Sequence, residues 1–140
     1  MDPENPVVKL CVAGMQAEGG RDLESARRLF AEAWDAASDN FEACIAAHYV
    51  ARHQPTPQDQ LWWNEEALRL AEAVGDERVK DFFPSLWLNL GRSHEVLGHV
   101  ADAKRYYELA AVAAEALPVN RYGTIVRDGA AAGQQRVVDA

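Results

Sequence analysis

Three short signatures recur along the chain: Ala26, Phe30 and Ala33; Asn64, Leu68 and Ala71; Ala103, Tyr107 and Ala110, displaced by 38 and then 39 residues. Within each, the members stand at i, i+4 and i+7, which places them on one face of a helix. One large side chain between small ones is what two closely packed helices need at their seam. Alanine is abundant here, so the large middle residue carries most of the weight. A helix pair of this size cannot bury its apolar face alone, and the recurrence therefore predicts neighbours stacked on neighbours.

The third copy has the fullest first helix. Trp87, Leu90, Gly91 and His94 lie on one helical stripe, and Gly91 permits close approach of the second helix carrying Ala103, Tyr107 and Ala110. With Gly98 between them, these residues follow the pattern W-x2-L-G-x2-Y and its second-helix continuation, with His94 where the pattern has Tyr. The chain thus resembles a tetratricopeptide repeat (TPR) protein and, taken whole, looks like small stand-alone bacterial members of that family. The resemblance implies an all-α fold, a right-handed α-solenoid of three TPR helix pairs plus a C-terminal capping helix. It implies protein or peptide binding and brings no activity with it.

The first helices of the other copies are weaker matches. Leu10, Ala13, Gly14 and Ala17 take the four places in repeat one, and Ala43, Ala46, Ala47 and Val50 in repeat two. From the glycine place to the second-helix signature there are 12 residues in repeat three but 17 in repeat two, so something is inserted. The two prolines of His53-Gln54-Pro55-Thr56-Pro57 locate the insertion, since they forbid continuous helix. A functional loop and neutral drift both account for it.

Start and stop signals divide the 140 residues into one domain, with repeats over about 6–38, 39–75 and 76–117 and a cap over about 120–138. Helix 1A runs from Pro6 to Glu18 and ends at Gly19-Gly20, residues able to take positive φ; Asp22 opens 1B, which ends near Ala37. Ser38-Asp39-Asn40 caps 2A, which extends to His53. Thr56 and Pro57 open 2B, which stops at Gly75. The segment Glu77 to Leu97 contains Pro84, which predicts a kinked helix, or else a new helix beginning there. Helix 3B covers Val100 to Leu117. The cap presents Tyr122, Ile125, Val126, Gly129, Ala132 and Val137 on its stripe, and a disordered tail after Ala131 is the alternative.

A hydrophobic content of 49%, rich in Ala and Leu, suits close helix packing. The formal charge of −8 argues against DNA, RNA or an anionic membrane as partner. An acidic, proline-broken start, two cysteines and no apolar run of membrane-spanning length predict a cytoplasmic protein with reduced thiols.

In this architecture a ligand is expected on the concave surface, at first-helix positions pointing away from the second helix. These are Val8, Cys11, Met15 and Glu18 in repeat one, Phe41, Cys44, His48 and Arg52 in repeat two, and Ser85, Leu88, Asn89, Arg92 and Glu95 in repeat three. The polar centre is His48, Arg52, Asn89 and Arg92, with an apolar end at Cys11, Met15 and Phe41; it suits an acidic or carboxylate-bearing peptide. The alternative is that these are ordinary solvated or packing residues, with Arg92 and Glu95 pairing locally. The carboxylate clamp of chaperone-binding relatives is not carried over, because only Asn89 and Arg92 match it and repeat one offers no Lys or Asn.

No enzyme, cofactor, metal or catalytic residue is expected. Cys44 and His48 are four apart, and Cys11 is the equivalent place in repeat one, but equivalent backbones about 8–10 Å apart are marginal for shared ligation. No catalytic or nucleotide-binding motif occurs. Of Trp62 and Trp63, neighbours about 100 degrees apart on a helix, at most one fits the helix seam. The other packs under the inserted loop or forms a self-association patch, which keeps a homodimer without groove ligand as the second reading.

Overall fold

The computed structural model describes residues 2–138 and contains, among them, seven α-helices and no strand. They are α1 (Pro6–Gly19), α2 (Leu23–Ala36), α3 (Asn40–Val50), α4 (Pro57–Val74), α5 (Phe83–Val96), α6 (Val100–Ala114) and α7 (Arg121–Val138). Two 3-10 segments, Ala51–His53 and Glu77–Phe82, stand before α4 and α5. No described helix is long and apolar enough to cross a membrane. The chain divides into two compact units, Met1–Arg78 and Val79–Ala140.

Four of the helices start where side-chain oxygens meet the orphan N–H groups of a first turn. Asn5 Oδ1 accepts from Val7 N at 2.8 Å and Val8 N at 3.2 Å, and Asp22 accepts from Ser25 N at 3.1 Å. Asp39 accepts from Glu42 N at 2.8 Å, and Thr56 from Asp59 N at 3.1 Å. Pro6 and Pro57 stand in the first turns of α1 and α4, where a missing N–H costs nothing.

In the first unit α1 packs on α2 and α3 on α4, and α3 also touches α1 and α2. Gly14 of α1 lies so close to Phe30 of α2 that a β-carbon there would stand 2.7 Å from the ring's Cδ1. Phe30 is then covered from α3 and its 3-10 extension, stacking on Tyr49 at 5.3 Å and on His53 at 5.9 Å between ring centres.

In the second unit α6 packs on α5 and α7, and α5 also meets α7. Tyr107 of α6 lies between two glycines. A β-carbon on Gly91 of α5 would fall 2.7 Å from its ring, and one on Gly133 of α7 nearer still. Leu88, Ala103, Ala110, Ala130 and Val137 complete the buried cluster around it.

Four sequence expectations need correction. The positive φ after α1 belongs to Arg21, at 63°, and not to Gly19 or Gly20; the closure bonds Asp22 N to Ala17 O and Arg21 N to Glu18 O, both at 2.9 Å, and they set where the chain reverses. At Pro84 a kinked helix is not found and the other reading, a new helix, is: the chain runs as a 3-10 segment to Phe82, and α5 begins at Phe83 with Pro84 in its first turn. Helix α6 ends at Ala114, after which i→i−3 bonds tighten the chain to Leu117. The buried stripe of α7 is Gly123, Val126, Ala130, Gly133 and Val137, rotated so that Ile125 and Tyr122 are exposed. The bulk of Tyr107 sets that rotation, since only a glycine fits over its ring. The helix persists past Ala131 to Val138.

Candidate binding surfaces

The residues expected to line a groove divide between the two units, and each is placed here within its own. In the first unit Cys44 is fully buried and donates from Sγ to Phe41 O at 3.1 Å, and Cys11 and Val8 are buried as well. Both cysteines are free thiols, and burial pushes each up to about 12, with Asp39 adding to the effect at Cys44. They are inert packing groups, not nucleophiles or open lining. Met15 is exposed.

His48 is half-buried, its ring edge-on to Tyr49 at 5.1 Å. Desolvation, helped by the Arg52 charge, pulls its pKa down to about 4, so it is neutral at pH 7. Arg52 is engaged from α1: its Nε lies 3.2 Å from Glu18 Oε2, which His53 Nε2 also meets. The lone carboxylate of Glu18 thus ties α1 to the segment following α3.

Phe41 borders a cleft of about 340 Å³ with Asp2, Asn5, Asp39, Glu42 and Arg78. The Arg78 guanidinium lies over its ring at 4.7 Å and pairs with Asp76 at 2.9 Å. Glu42 accepts from Ser38 N and Oγ, both at 2.8 Å, and from Asn5 Nδ2 at 2.7 Å; the Ser38 backbone and Asn5 bonds hold its carboxyl below the usual range. This apparatus braces the α3 N-terminus against α1, a contact that sequence inspection missed because Asn5 and Glu42 are 37 residues apart.

In the second unit α7 takes much of the face assigned to the groove. Glu95 Oε2 accepts from Arg136 Nε at 2.9 Å, and Glu95 Oε1 from the Tyr107 hydroxyl at 2.6 Å. The Arg136 and Tyr107 bonds lower the Glu95 pKa, while burial and Glu95 raise that of Tyr107 to about 12. Leu88 is buried, and Arg92 Nη2 lies 3.0 Å from where a β-carbon on Gly129 would be. Arg92 itself remains exposed, and Asn89 is half-buried. Ser85 Oγ accepts from the Tyr122 hydroxyl at 3.1 Å. The expectation of an open surface therefore fails at Val8, Cys11, Cys44, Leu88 and Glu95. Helix α1 meets α3 as well as α2, and α5 meets α7 as well as α6, and a third helix of this kind is invisible to single-helix periodicity.

Apolar surface is open to solvent in each unit. Trp63 packs edge-on against Trp34 at 5.0 Å, while Trp62 is 56% exposed. In the second unit Trp87, Leu109, Val112 and Ala113, flanked by Arg105 and Glu108, border a cleft of about 390 Å³. No family model, curated protein or solved structure matches the chain.

Proposed function

We propose that the chain is a helical-repeat scaffold of the TPR type, three helix pairs closed by α7, and that it binds a protein or peptide and catalyses nothing. The observation supporting this is a constellation that recurs after 77 residues. Gly14 beneath Phe30 with Glu18 tied to the 3-10 segment after α3 corresponds to Gly91 beneath Tyr107 with Glu95 tied to α7. What repeats is packing and bracing, the material from which a repeat protein makes a surface. On this reading Arg92, with Asn89 beside it, is the open part of the second unit, and in the first unit Met15 is open while Arg52, His48 and Phe41 are held by local partners.

The test is selection from a displayed peptide library on the full chain, followed by titration of variants. Arg92→Ala is expected to weaken a selected acidic peptide about tenfold, the loss of one charge-assisted hydrogen bond. Arg27→Ala, on the exposed side of α2, is expected to leave affinity unchanged. Failure to select any peptide, or equal affinity of the Arg92→Ala variant, would remove this reading. The exposed Trp62 supports a second one, self-association through α4, for which light scattering should show a dimer that Trp62→Ser returns to monomer.

A further inference from the structure

The turn between α5 and α6 brings together three potential metal ligands. His94, in the last turn of α5, lies with its Nδ1 3.0 Å from Nδ1 of His99, the residue before α6. Its Nδ1 is also 3.9 Å from Oδ2 of Asp102, in the first turn of α6, and one ligand atom from each residue lies within 4.8 Å of the others. Two ligands on a tetrahedral zinc-sized ion, at 2.0–2.2 Å from it, stand about 3.3 Å apart. The imidazole pair is close to that spacing already. His99 and Asp102 are exposed, so closing the remaining distance needs only side-chain rotation.

The His94 ring is fixed. It lies parallel to Tyr106, at 2° and 5.5 Å, and is buried, which orients Nδ1 toward the solvent-accessible pair. His99, by contrast, makes no side-chain capping bond to α6. The first unit shows that the turn does not need these residues. There the same closure, Asp22 N to Ala17 O and Arg21 N to Glu18 O, matches His99 N to His94 O at 2.8 Å and Gly98 N to Glu95 O at 3.0 Å. The corresponding side chains are Ala17, Asp22 and Ser25, and Asp22 does the capping. Two imidazoles and a carboxylate thus stand at a corner whose backbone forms without them.

We infer that His94, His99 and Asp102 form a binding site for a divalent transition-metal ion of the zinc class, with solvent completing the coordination. Both imidazoles ligate as neutral rings with their protons on Nε2, so the Nδ1–H that now bridges them is given up. Nitrogen ligands select zinc, cobalt(II) or nickel over the oxygen-seeking magnesium and calcium. Arg105 is the resident competitor, 3.7 Å from Asp102 and lying over Tyr106 at 4.4 Å. That pair is exposed and weak, so a dication displaces it.

Calorimetric titration of the full chain with zinc chloride, in parallel with the visible spectrum of the cobalt(II) form, tests the site. One ion per chain is expected, bound below roughly 100 µM and undisturbed by millimolar magnesium. His99→Ala and Asp102→Asn, both at exposed positions, should each weaken it at least about tenfold with helicity unchanged. Arg105→Gln should tighten it, and His48→Gln, in the first unit, should leave it unaltered. No binding by roughly 100 µM metal, or binding indifferent to both the His99→Ala and Asp102→Asn changes, would overturn the assignment.

Discussion

The rings of Phe30 and Tyr107 occupy the same place in the two units, 77 residues apart, each pressed onto a glycine of the preceding helix. Their far sides differ. Phe30 is roofed by aromatic side chains, Tyr49 and His53, whereas Tyr107 is roofed by the bare backbone of Gly133 and holds its hydroxyl between Glu95 and Arg136. A following helix can therefore close such a socket in two ways. It can stack its own rings, or it can approach closely and anchor the ring's polar tip. The first buries mainly apolar surface; the second trades some of it for charge-assisted hydrogen bonds.

The largest effect should come from filling the common element. Gly91→Leu forces a side chain into the Tyr107 ring, and Gly14→Leu does the same at Phe30, each costing about 3 kcal/mol or more. Thermal unfolding would show this as a fall of roughly 2–4 °C per kcal/mol, and unchanged melting in one variant alone would break the equivalence of the sockets. Next is acid sensitivity in the first unit. The His48 pKa in the folded chain, about 4, lies below the unfolded value near 6.5, so the neutral form is the one the fold prefers. That contribution is complete above about pH 6.5 and is lost as the pH falls toward 4, by roughly 1–3 kcal/mol for a half-buried ring. His48→Gln should flatten the denaturation profile in that window; an identical profile would contradict the desolvation of His48.

Tyr107→Phe tests the polar roof. Losing the hydroxyl leaves Glu95 and Arg136 paired with each other, so the expected cost is about 1–2 kcal/mol by urea denaturation. The reverse change, Phe30→Tyr, sharpens the comparison, because Glu18 stands where Glu95 does and is already held by Arg52 and His53. A gain in stability from Phe30→Tyr would mean that Glu18 has room for a third donor. The smallest effect concerns the closing corner. Arg21 holds φ 63° where its counterpart Gly98 holds 80°, so Arg21→Gly should stabilise by roughly 0.5–1 kcal/mol and Gly98→Ala should destabilise by about as much. Opposite signs in the two midpoints confirm matched corners; equal signs refute them.

Much of this was legible because it is local. Capping oxygens at Asp22, Asp39 and Thr56, the prolines at the starts of α1 and α4, and the stop at Gly75 act within one turn of chain, and the periodic small–large–small signature marks the seam of a helix pair without reference to anything further away. The glycine-to-ring distance in sequence, shared by the Gly14–Phe30 and Gly91–Tyr107 pairs, was likewise readable as a repeat.

What lay beyond reach depends on a third helix. Whether Glu95 or Cys44 faces solvent is not a property of its own helix but of the one packed next, and no periodicity encodes that. The face of α7 was misread for the same reason: apolar strength favours Tyr122 and Ile125, yet a glycine wins wherever another element's ring must come within contact distance. The amino-acid sequence by itself determined the helices, their caps and the seams between neighbours, because hydrogen bonding and steric fit act over a few residues. Only the tertiary structure decided which surfaces stay open, because burial is set by the close packing of segments distant in the chain, and only the folded geometry of the turn between α5 and α6 decided how His94, His99 and Asp102 converge.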